Sequence, residues 1–278
     1  MALASSIQSG QSNPQSAAHQ HAPTGSLRQR ALRLLSIVIP ACDEEGCIQE
    51  TVEHLHLELC RHNIPHEIVV VDDGSRDRTW EILTQLKAGV PQLVAIKNEG
   101  EHGFGRAVVC GLDAMRGDAV VVMMGDDSDD PQAVVRYWEE LNRGWDCVFG
   151  SRFIEGGGVV DYPKFKLVIN RIANGLLRIF FAMPLNDTTN GFKAYRREVI
   201  EGCRPLTAAQ FNLTVELPLK AIVRGHSWTT VPVTYRNRKA GVSKWGLLKM
   251  GGYYLSTSIC IWMQKQFSRR DHRSSKRV

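Results

Sequence analysis

The sequence predicts an α/β fold with a doubly wound, mostly parallel sheet. Between residues 34 and 150, apolar runs of strand length alternate regularly with segments of helical periodicity. The apolar runs are continuous, which is typical of strands that are buried on both faces. Alternation of this kind predicts a parallel sheet covered by helices on both sides, and right-handed crossovers make the sheet doubly wound.

The first half of the chain gives the elements of this sheet in order. Apolar runs predict strands at 34–40, 67–72, 93–97, from 120 onward and at 146–150. Helical spacing of apolar residues predicts the intervening helices at about 44–59, 79–86, 105–115 and 131–141. Pro131 fits the first turn of the last of these helices.

The regular alternation stops after residue 150. Residues 155–158 (EGGG) predict a flexible loop, and a long helix follows over 163–181. A second helix is expected over about 211–224, although Pro218 must bend it or shift its start. Residues 227–235 alternate as a strand does, and Pro232 indicates that this strand lies at a sheet edge. A basic loop over 236–244 precedes a largely apolar segment, 247–263.

The predicted helix 163–181 and the segment 247–263 have two interpretations. The helix interleaves apolar with basic residues, which suits either an ordinary surface helix or a membrane interface. The segment is too short and too interrupted to span a bilayer, so it either docks on the domain or lies in the interface. The last fourteen residues are rich in lysine and arginine. Such a run is usually a solvated tail, and the alternatives are that it binds an anionic membrane surface or nucleic acid.

Composition limits the remaining possibilities. The chain has 278 residues, 43% of them hydrophobic, and a formal net charge of +5. Residues 1–30 are polar, lack the layout of a signal peptide and are predicted to be disordered. No apolar stretch is long enough for a confident membrane span. The seven cysteines are scattered without a C-x-x-C pair, which predicts reduced thiols in the cytosol.

Residues 120–131 (VVVMMGDDSDDP) join an apolar strand directly to four carboxylates. Burying such charges is costly unless a cation compensates them, and Mg²⁺ prefers oxygen ligands together with phosphate oxygens. The stretch therefore predicts a metal–phosphate site at the carboxyl end of a strand, where open α/β sheets bind their ligands. The alternative is an acidic loop that caps the helix beginning at Pro131.

Acids follow three of the predicted strands, at 40–44, 72–75 and 126–129. The carboxyl ends of parallel strands lie at one edge of the sheet, so the three loops should meet there. A carboxylate at the second strand end can accept hydrogen bonds from a base or ribose, and the third can hold a metal on a diphosphate. Together the three strand ends predict a site for a nucleoside diphosphate.

Other phosphate-binding motifs are excluded. The sequence has no G-x-x-x-x-G-K-[ST], and residues 103–107 (GFGRA) lack the third glycine of a dinucleotide fingerprint and follow the wrong strand. This stretch does fit a turn that opens a helix, where Arg106 meets a phosphate or is simply a surface arginine.

The motifs resemble family 2 glycosyltransferases of the GT-A fold, in the branch of dolichol-phosphate mannosyltransferases and polyprenyl-phosphate glycosyltransferases. The resemblance covers residues 34 to about 250 and rests on an ordered set of five motifs. They are residues 37–45 (IVIPACDEE), 70–79 (VVDDGSRDRT), 150–153 (GSRF), 189–195 (TNGFKAY) and 241–244 (GVSK). This branch usually has D-x-D-x-Q at its metal site. Counted back from Pro131, Gly125 stands in place of the first Asp.

The resemblance implies an inverting glycosyltransferase that uses Mg²⁺ or Mn²⁺ and moves mannose or glucose from a nucleotide sugar to a polyprenyl phosphate. Asp127 is the predicted catalytic residue and binds the metal together with Asp129, whereas Asp130 is better explained as a helix cap. The predicted donor-binding residues are Pro40, Ala41, Glu44, Asp72, Asp73, Asp126, Arg238 and Lys244. Arg152 and Arg171 are the candidates for the lipid phosphate; for these cations an ordinary exposed surface position is the alternative.

A lipid acceptor implies a peripheral protein on the cytoplasmic face of a membrane, with a possible partner subunit or a homo-oligomer and without nucleic acid. Residues 34–245 would form the GT-A domain, and 246–278 a membrane-interface helix with a basic tail. Two alternatives stay open at this point. One is a glycosyltransferase with a soluble acceptor, and the other is a catalytically weak regulator that binds nucleotide sugars.

Overall fold

The computed structural model describes residues 31–236 and 247–274. Its main feature is a seven-stranded sheet, accompanied by a two-stranded sheet. The strands are β1 (Leu35–Ala41), β2 (His66–Asp72), β3 (Leu93–Lys97), β4 (Ala119–Val122), β5 (Cys147–Ser151), β6 (Gly158–Val160), β7 (Lys193–Arg196), β8 (Trp228–Pro232) and β9 (Thr234–Arg236).

The described residues also form eight helices. These are α1 (Ile48–Arg61), α2 (Thr79–Leu86), α3 (Phe104–Ala114), α4 (Pro131–Asn142), α5 (Lys164–Phe181), α6 (Arg197–Cys203), α7 (Leu213–Val223) and α8 (Leu247–Ser274). All strands and helices predicted up to residue 150 are present, with boundaries that move by a few residues at most.

The strand order of the large sheet is β3-β2-β1-β4-β7-β5-β8. Neighbouring strands are parallel except at β7, which runs antiparallel to both β4 and β5. The expected mostly parallel, doubly wound sheet is therefore confirmed. The sequence did not indicate β7, because this strand has only four residues and two of them are the cations Lys193 and Arg196.

Both faces of the sheet are covered, so the domain has two layers of core. On one face α1, α2 and α4 pack through residues such as Ile48, Leu83 and Val134. On the other face α3, α6 and α7 contribute Val108, Ile200 and their neighbours. The sheet residues between these layers are buried on both sides, which explains why their sequence is apolar without alternation.

The predicted strand 227–235 is divided into two strands. Its first part, β8, lies at the edge of the large sheet, as Pro232 indicated. Val233 then leaves this sheet, and β9 pairs in parallel with β6 in the small one. The glycine-rich loop expected at 155–158 is shorter than predicted, because Gly158 already belongs to β6.

Helix α7 continues through Pro218, which has no N–H to donate to the carbonyl of Thr214. The ammonium group of Lys193, from β7, donates to that carbonyl at 3.2 Å and to Thr188 O at 2.9 Å. Burial lowers the pKa of Lys193 to about 7, although Asp187 opposes this effect. The buried amino group of Lys193 thus satisfies the acceptor that the proline leaves in the helix.

Helix α8 is longer than the predicted segment 247–263, because it continues to Ser274 through part of the basic tail. It packs against the body of the protein through buried residues including Ser258 and Ile261. Asn212 next to α7 donates to Thr257 Oγ1 at 2.9 Å. Among the described residues, no helix has both the length and the hydrophobicity that crossing a bilayer requires. The predicted division into 34–245 and 246–278 stays a prediction, and residues 1–30 lie outside the described part.

Glu67 is expected to contribute to stability above acidic pH. Its buried carboxylate accepts hydrogen bonds from Ser36 Oγ at 2.7 Å and from Arg116 Nε at 2.8 Å. Burial alone would raise the pKa of Glu67, but these bonds outweigh it and keep the pKa below its usual value. We expect Glu67→Gln to lower the free energy of unfolding at pH 7 by about 1–3 kcal/mol, since donors lose their acceptor.

Urea unfolding of the wild type and of Glu67→Gln across a pH series measures this effect. A depressed pKa contributes stability that is present above the unfolded-state value, 4.5, and is lost as pH falls through the folded-state pKa. The difference in free energy of unfolding between wild type and Glu67→Gln should therefore become smaller at acidic pH. The exposed Glu139 on α4 supplies the control Glu139→Gln. Equal stability of the three proteins at pH 7 would contradict the prediction.

Candidate functional site

The three acidic loops lie at one edge of the large sheet, as the sequence predicted. Ala41 at the end of β1 pairs with Asp72 at the end of β2, and Val38 pairs with Val122 at the end of β4. The chain proceeds from β1 to β2 and β3 in one direction and places β4 on the other side of β1. The loops after β1 and β4 therefore flank the point where the strand order reverses, which is the usual ligand crevice of an open α/β sheet.

The loops after β1 and β2 are hydrogen-bonded to each other. The amide of Asp43 donates to Ser75 Oγ at 3.0 Å, and the carboxylate of Asp43 accepts from the amide of Arg76 at 2.7 Å. The amide of Glu45 similarly donates to Asp77 Oδ2 at 3.0 Å. These acids hold the two loops in place. The neighbouring predicted donor residues Pro40, Ala41 and Glu44 are consequently carried on a fixed backbone.

Asp72 and Asp73, both predicted to contact the donor, have different surroundings. Asp72 is buried and accepts from the amide of Ser75 at 3.2 Å. Asp73 accepts from Asn98 Nδ2 at 2.7 Å and from the amide of Gly103 at 2.8 Å. Asp73 thus fixes the loop after β3. Contacts of either residue with a nucleotide stay predictions.

The loop after β4 contains the predicted metal ligands. Asp126 is buried and accepts from Ser128 Oγ at 2.5 Å. Asp127 adopts a left-handed backbone conformation, with φ of +53°. Asp130 accepts from the amide of Gln132 at 3.0 Å and caps α4, as predicted. The four carboxylates therefore have distinct positions.

Asp129 is the carboxylate most affected by its surroundings. It is buried, and its Oδ2 accepts from the amide of Met124 at 3.0 Å. Burial raises the pKa of Asp129 to about 7, and the nearby negative charge of Asp126 adds to this shift, while Met124 and Arg152 oppose it. A cation beside Asp129 would remove much of this penalty, so the loop fits a hard divalent ion.

The acidic loop does not form a complete metal cage. Within 31–236 and 247–274, three side chains of the His, Cys, Asp or Glu type bring ligand atoms within 4.8 Å of one another at a different place. They are His56, Cys60 and His66. An ion held by Asp127 and Asp129 would need further oxygen ligands. Mg²⁺ is commonly bound in this way, by one or two carboxylates together with phosphate oxygens and water.

Gly125 lies against the core side of the sheet. A Cβ atom at this position would lie 3.3 Å from Ile39 Cγ2 and 3.4 Å from Ile48 Cδ1. The carbonyl of Gly125 also accepts from Thr51 Oγ1 at 3.3 Å. The position where a first metal-binding Asp was expected is thus packed against apolar side chains of β1 and α1.

Arg152, predicted to bind lipid phosphate, forms a buried ion pair that the sequence did not indicate. Its Nε donates to Asp187 Oδ2 at 2.8 Å and its Nη2 donates to Asp187 Oδ1 at 2.7 Å. The backbone amide of Arg152 donates to the same carboxylate at 2.9 Å. The side chains are only 7% and 0% exposed. Asp187 therefore compensates the charge of Arg152 and fixes its orientation.

The structure brings the two predicted phosphate-binding arginines together. The guanidinium carbon of Arg152 lies 5.2 Å from the ring centroid of Phe153, and that of Arg171 lies 4.7 Å from the same centroid. Arg171 is exposed on α5, so it offers the more accessible charge of the pair. Such cation–π contacts favour defined positions for both guanidinium groups.

Helix α5 is attached to the loop that carries Asp187. Asn174 Nδ2 donates to Thr189 Oγ1 at 3.0 Å, and Asn174 Oδ1 accepts from the amide of Thr189 at 3.2 Å. Thr189 Oγ1 also donates to Asn170 Oδ1 at 3.1 Å. Asp187, Thr189 and Asn174 are site-forming residues that the sequence analysis missed. The motif at 189–195 was the available signal, but it does not identify these partners.

The glycine-rich stretch at 103–107 is accounted for by packing. The carbonyl of Ala209 accepts from the amides of Gly105 at 3.1 Å and Arg106 at 3.4 Å, at the start of α3. A Cβ on Gly105 would lie 2.0 Å from the carbonyl oxygen of Ala208. The glycine therefore allows close approach of two backbone segments. The donor-site candidates Arg238 and Lys244 lie outside the described residues and stay predictions.

Removing the negative charge of Asp187 should destabilise the protein strongly. Asp187→Asn leaves Arg152 as a buried, uncompensated cation, which we expect to lower the free energy of unfolding by about 3–5 kcal/mol. The control is Asp113→Asn, which breaks the exposed pair between Asp113 and Arg204. Exposed ion pairs contribute about 0–1 kcal/mol to the free energy of unfolding, so this control should lose little stability. Denaturant titration of the three proteins tests the prediction, and equal losses for both variants would contradict it.

Comparison with known proteins identifies relatives of this chain. The family model described as glycosyl transferase family 2 matches residues 36–203. A polyprenol monophosphomannose synthase from Mycolicibacterium smegmatis is 33% identical over 215 residues, which are 75% of this chain and 79% of that protein. A dolichol-phosphate mannosyltransferase from Pyrococcus furiosus is also 33% identical, over 76% of this chain but only 58% of its own length.

Solved structures with the same fold include glucosyl-3-phosphoglycerate synthase from Mycobacterium tuberculosis in complex with UDP. Its TM-score is 0.62 at 19% identity, and the match covers 83% of this chain and 80% of that chain. A complex of the same enzyme with Mn²⁺, UDP and phosphoglyceric acid gives a TM-score of 0.61 at 20% identity, covering 83% and 78%. This likeness confirms the expected GT-A fold. The extent of the sequence matches shows that the chain belongs to glycosyl transferase family 2.

Proposed function

We propose that this protein transfers a hexose, with mannose as the first candidate, from a nucleotide sugar to a polyprenyl phosphate at the cytoplasmic face of a membrane. The named activities of the two sequence relatives support this choice. The structural observation that carries it is the position of α5. One face of this helix is apolar and exposed, and its other contacts lead directly to the arginine pair beside the acidic loops.

The exposed face of α5 is suited to a bilayer interface. Its exposed apolar residues recur at helical spacing and reach 72% exposure at Phe165 and 80% at Ile179; they are Phe165, Val168, Ile172, Leu176, Ile179 and Phe180. Basic residues on the same helix are Lys164, Lys166, Arg171 and Arg178. Helix α8 adds the exposed residues Leu255, Ile259 and Met263. An apolar stripe with basic flanks favours binding to anionic lipid surfaces.

The arginine pair is the proposed site for the phosphate of a lipid acceptor, and Arg171 is its accessible member. Arg171 projects from the helix that we assign to the membrane, and Phe153 links it to Arg152. A phosphate monoester is already ionised near neutral pH, so its oxygen needs no strong general base before it attacks the sugar. The main task of the protein is then to bring two anions together, for which guanidinium groups are well suited.

A divalent cation, Mg²⁺ or Mn²⁺, fits the donor side of the site. Asp127 and Asp129 would hold it, and Asp126 is the predicted donor-binding acid in the same loop. When bound, it would neutralise charge on the departing diphosphate. The neighbouring acids Asp72 and Glu44 are proposed to contact the nucleoside, since their loops meet at the same edge of the sheet. Attack from the acceptor side would invert the anomeric carbon.

A lipid-extraction assay tests the proposal. The purified full chain is supplied with radiolabelled GDP-mannose or UDP-glucose, Mg²⁺ or Mn²⁺, and polyprenyl phosphate in liposomes. We expect label in the organic phase with at least one donor. Transfer only to a water-soluble acceptor such as phosphoglyceric acid would favour a soluble-acceptor enzyme. Donor binding without any transfer would favour a regulator that binds nucleotide sugars.

In this assay we expect Asp127→Asn to lower turnover at least about tenfold, equivalent to about 1.4 kcal/mol in the barrier. Asparagine tolerates a left-handed backbone, so the loop should keep its shape. The matched control is Asp161→Asn, at an exposed aspartate with φ of +54°. Full activity of Asp127→Asn in the presence of metal would rule out its proposed role.

Replacing one apolar residue of α5 by a charge should weaken membrane binding. Leu176 is 63% exposed, so Leu176→Glu should leave the fold intact. The loss of about 1.5–3 kcal/mol of apolar burial corresponds to roughly tenfold or more in liposome affinity. Leu57 on α1, 53% exposed, provides the control Leu57→Glu. Liposome co-sedimentation measures both variants. Unchanged binding of Leu176→Glu would remove α5 from the proposed membrane surface.

A further inference from the structure

A second cluster of polar side chains lies at the opposite edge of the sheet from the acidic loops. His56 and Cys60 are one turn apart near the end of α1, and His66 is the first residue of β2. β2 carries Asp72 at its other end, so the length of the strand separates the two places. The cluster therefore has no part in the donor or acceptor site described above.

The three side chains have the geometry of a metal-binding group. His56 Nδ1 lies 3.0 Å from His66 Nε2. Cys60 Sγ lies 3.8 Å from Nδ1 and 3.7 Å from Nε2 of His56. One ligand atom from each residue falls within 4.8 Å of the other two. Nitrogen and sulfur atoms that converge so closely can share a single ion.

The ring of His66 is held in the orientation that a metal ligand requires. Its Nδ1 lies 2.8 Å from the carbonyl oxygen of Ile64. A carbonyl only accepts hydrogen bonds, so Nδ1 must carry the proton. In the neutral ring, the lone pair is then on Nε2, which faces His56. Metal-binding histidines typically donate their other ring nitrogen to a carbonyl or carboxylate in this way.

We propose that His56, Cys60 and His66 form a binding site for a divalent cation of intermediate softness, with Zn²⁺ as the foremost candidate. Two imidazoles and a thiolate are a donor set that such ions prefer. With Zn–N of about 2.0–2.1 Å and Zn–S of about 2.3 Å, tetrahedral ligands lie roughly 3.3 Å (N to N) and 3.6 Å (N to S) apart. The two distances from His56 Nδ1, 3.0 Å to His66 Nε2 and 3.8 Å to Cys60 Sγ, are close to these values, and all three ligand atoms lie within 4.8 Å of one another.

Without an ion, His56 Nδ1 donates to the lone pair on His66 Nε2. Binding therefore requires His56 to carry its proton on Nε2 instead and the Cys60 thiol to release its proton to solvent. It also requires one local rotation. Cys60 Sγ is nearly equidistant from both nitrogens of His56, so the thiolate must turn toward Nδ1. Cys60 is exposed, which gives its side chain room to rotate. His56 also forms part of the wall of a cavity of about 470 Å³ between α1 and α2. Water in this cavity can complete the coordination of an ion beside His56.

An ion at this position would connect the end of α1 to the start of β2. Since a cation that binds only the folded state adds to stability by mass action, this half of the sheet would become more resistant to unfolding. The proposed function does not depend on this site, because the acidic loops use oxygen ligands at the other edge. The two proposals can therefore be tested separately.

Cobalt spectroscopy of the full chain provides the test. Co²⁺ bound by a thiolate gives a sulfur-to-cobalt charge-transfer band, which ions on the acidic loops cannot produce through oxygen ligands. We expect one equivalent of Co²⁺ to generate this band and Zn²⁺ to abolish it by displacement. Cys60→Ser should lose the band. His56→Gln should weaken the affinity for Co²⁺ by more than about tenfold. Loss of a hydrogen-bond partner behind a metal ligand already costs roughly tenfold, and His56 is proposed as a ligand itself.

Two control variants keep the test specific. Cys260→Ser removes another exposed thiol, and His62→Gln removes a neighbouring exposed histidine. Both should retain the band, and Zn²⁺ should raise the Tm of the wild type and of both controls but not of Cys60→Ser. The proposal is overturned if no band forms, or if the band and the Zn²⁺-dependent rise in Tm persist in Cys60→Ser.

Discussion

The buried ion pair between Arg152 and Asp187 holds together the region that we propose as the acceptor side of the site. Arg152 follows β5, and Asp187 belongs to the loop that leads into β7. Through Thr189, the same loop fixes Asn174 of α5. The loop that carries this carboxylate is therefore bonded both to Arg152 and to the exposed helix α5. Its two parallel hydrogen bonds make this arrangement directional as well as strong.

The site also depends on a balance of charge across the edge of the sheet. On the proposed donor side, burial and the negative charge of Asp126 raise the pKa of Asp129 and so disfavour its ionisation. On the proposed acceptor side, Asp187 compensates the charge of Arg152, and Arg171 is the exposed positive charge beside the Phe153 ring. We infer that each side favours a ligand of opposite sign. A cation with a diphosphate would suit the first, and a lipid phosphate would suit the second.

Features set by local sequence could be predicted, whereas features set by distant partners could not. Continuous apolar runs identified β1 to β5, and Asp130 before Pro131 identified the cap of α4. Strand β7 was missed because its lysine and arginine contradict a buried strand until their partners are known. Lys193 is tolerated there because it donates to the carbonyls of Thr188 and Thr214. The ion pair of Arg152 was missed for the same reason, since Asp187 is 35 residues away.

The antiparallel direction of β7 has a consequence for how this protein can change. Since β5 ends and β7 begins at the same edge, where Phe149 pairs with Lys193, the chain between them leaves and returns at neighbouring points. A parallel strand would instead have required a crossover to the far edge. A segment closed in this way can change in length or surface chemistry without altering the strand order. Evolution can therefore exchange the segment between β5 and β7, the proposed acceptor side, while retaining the sheet edge that carries the acidic loops.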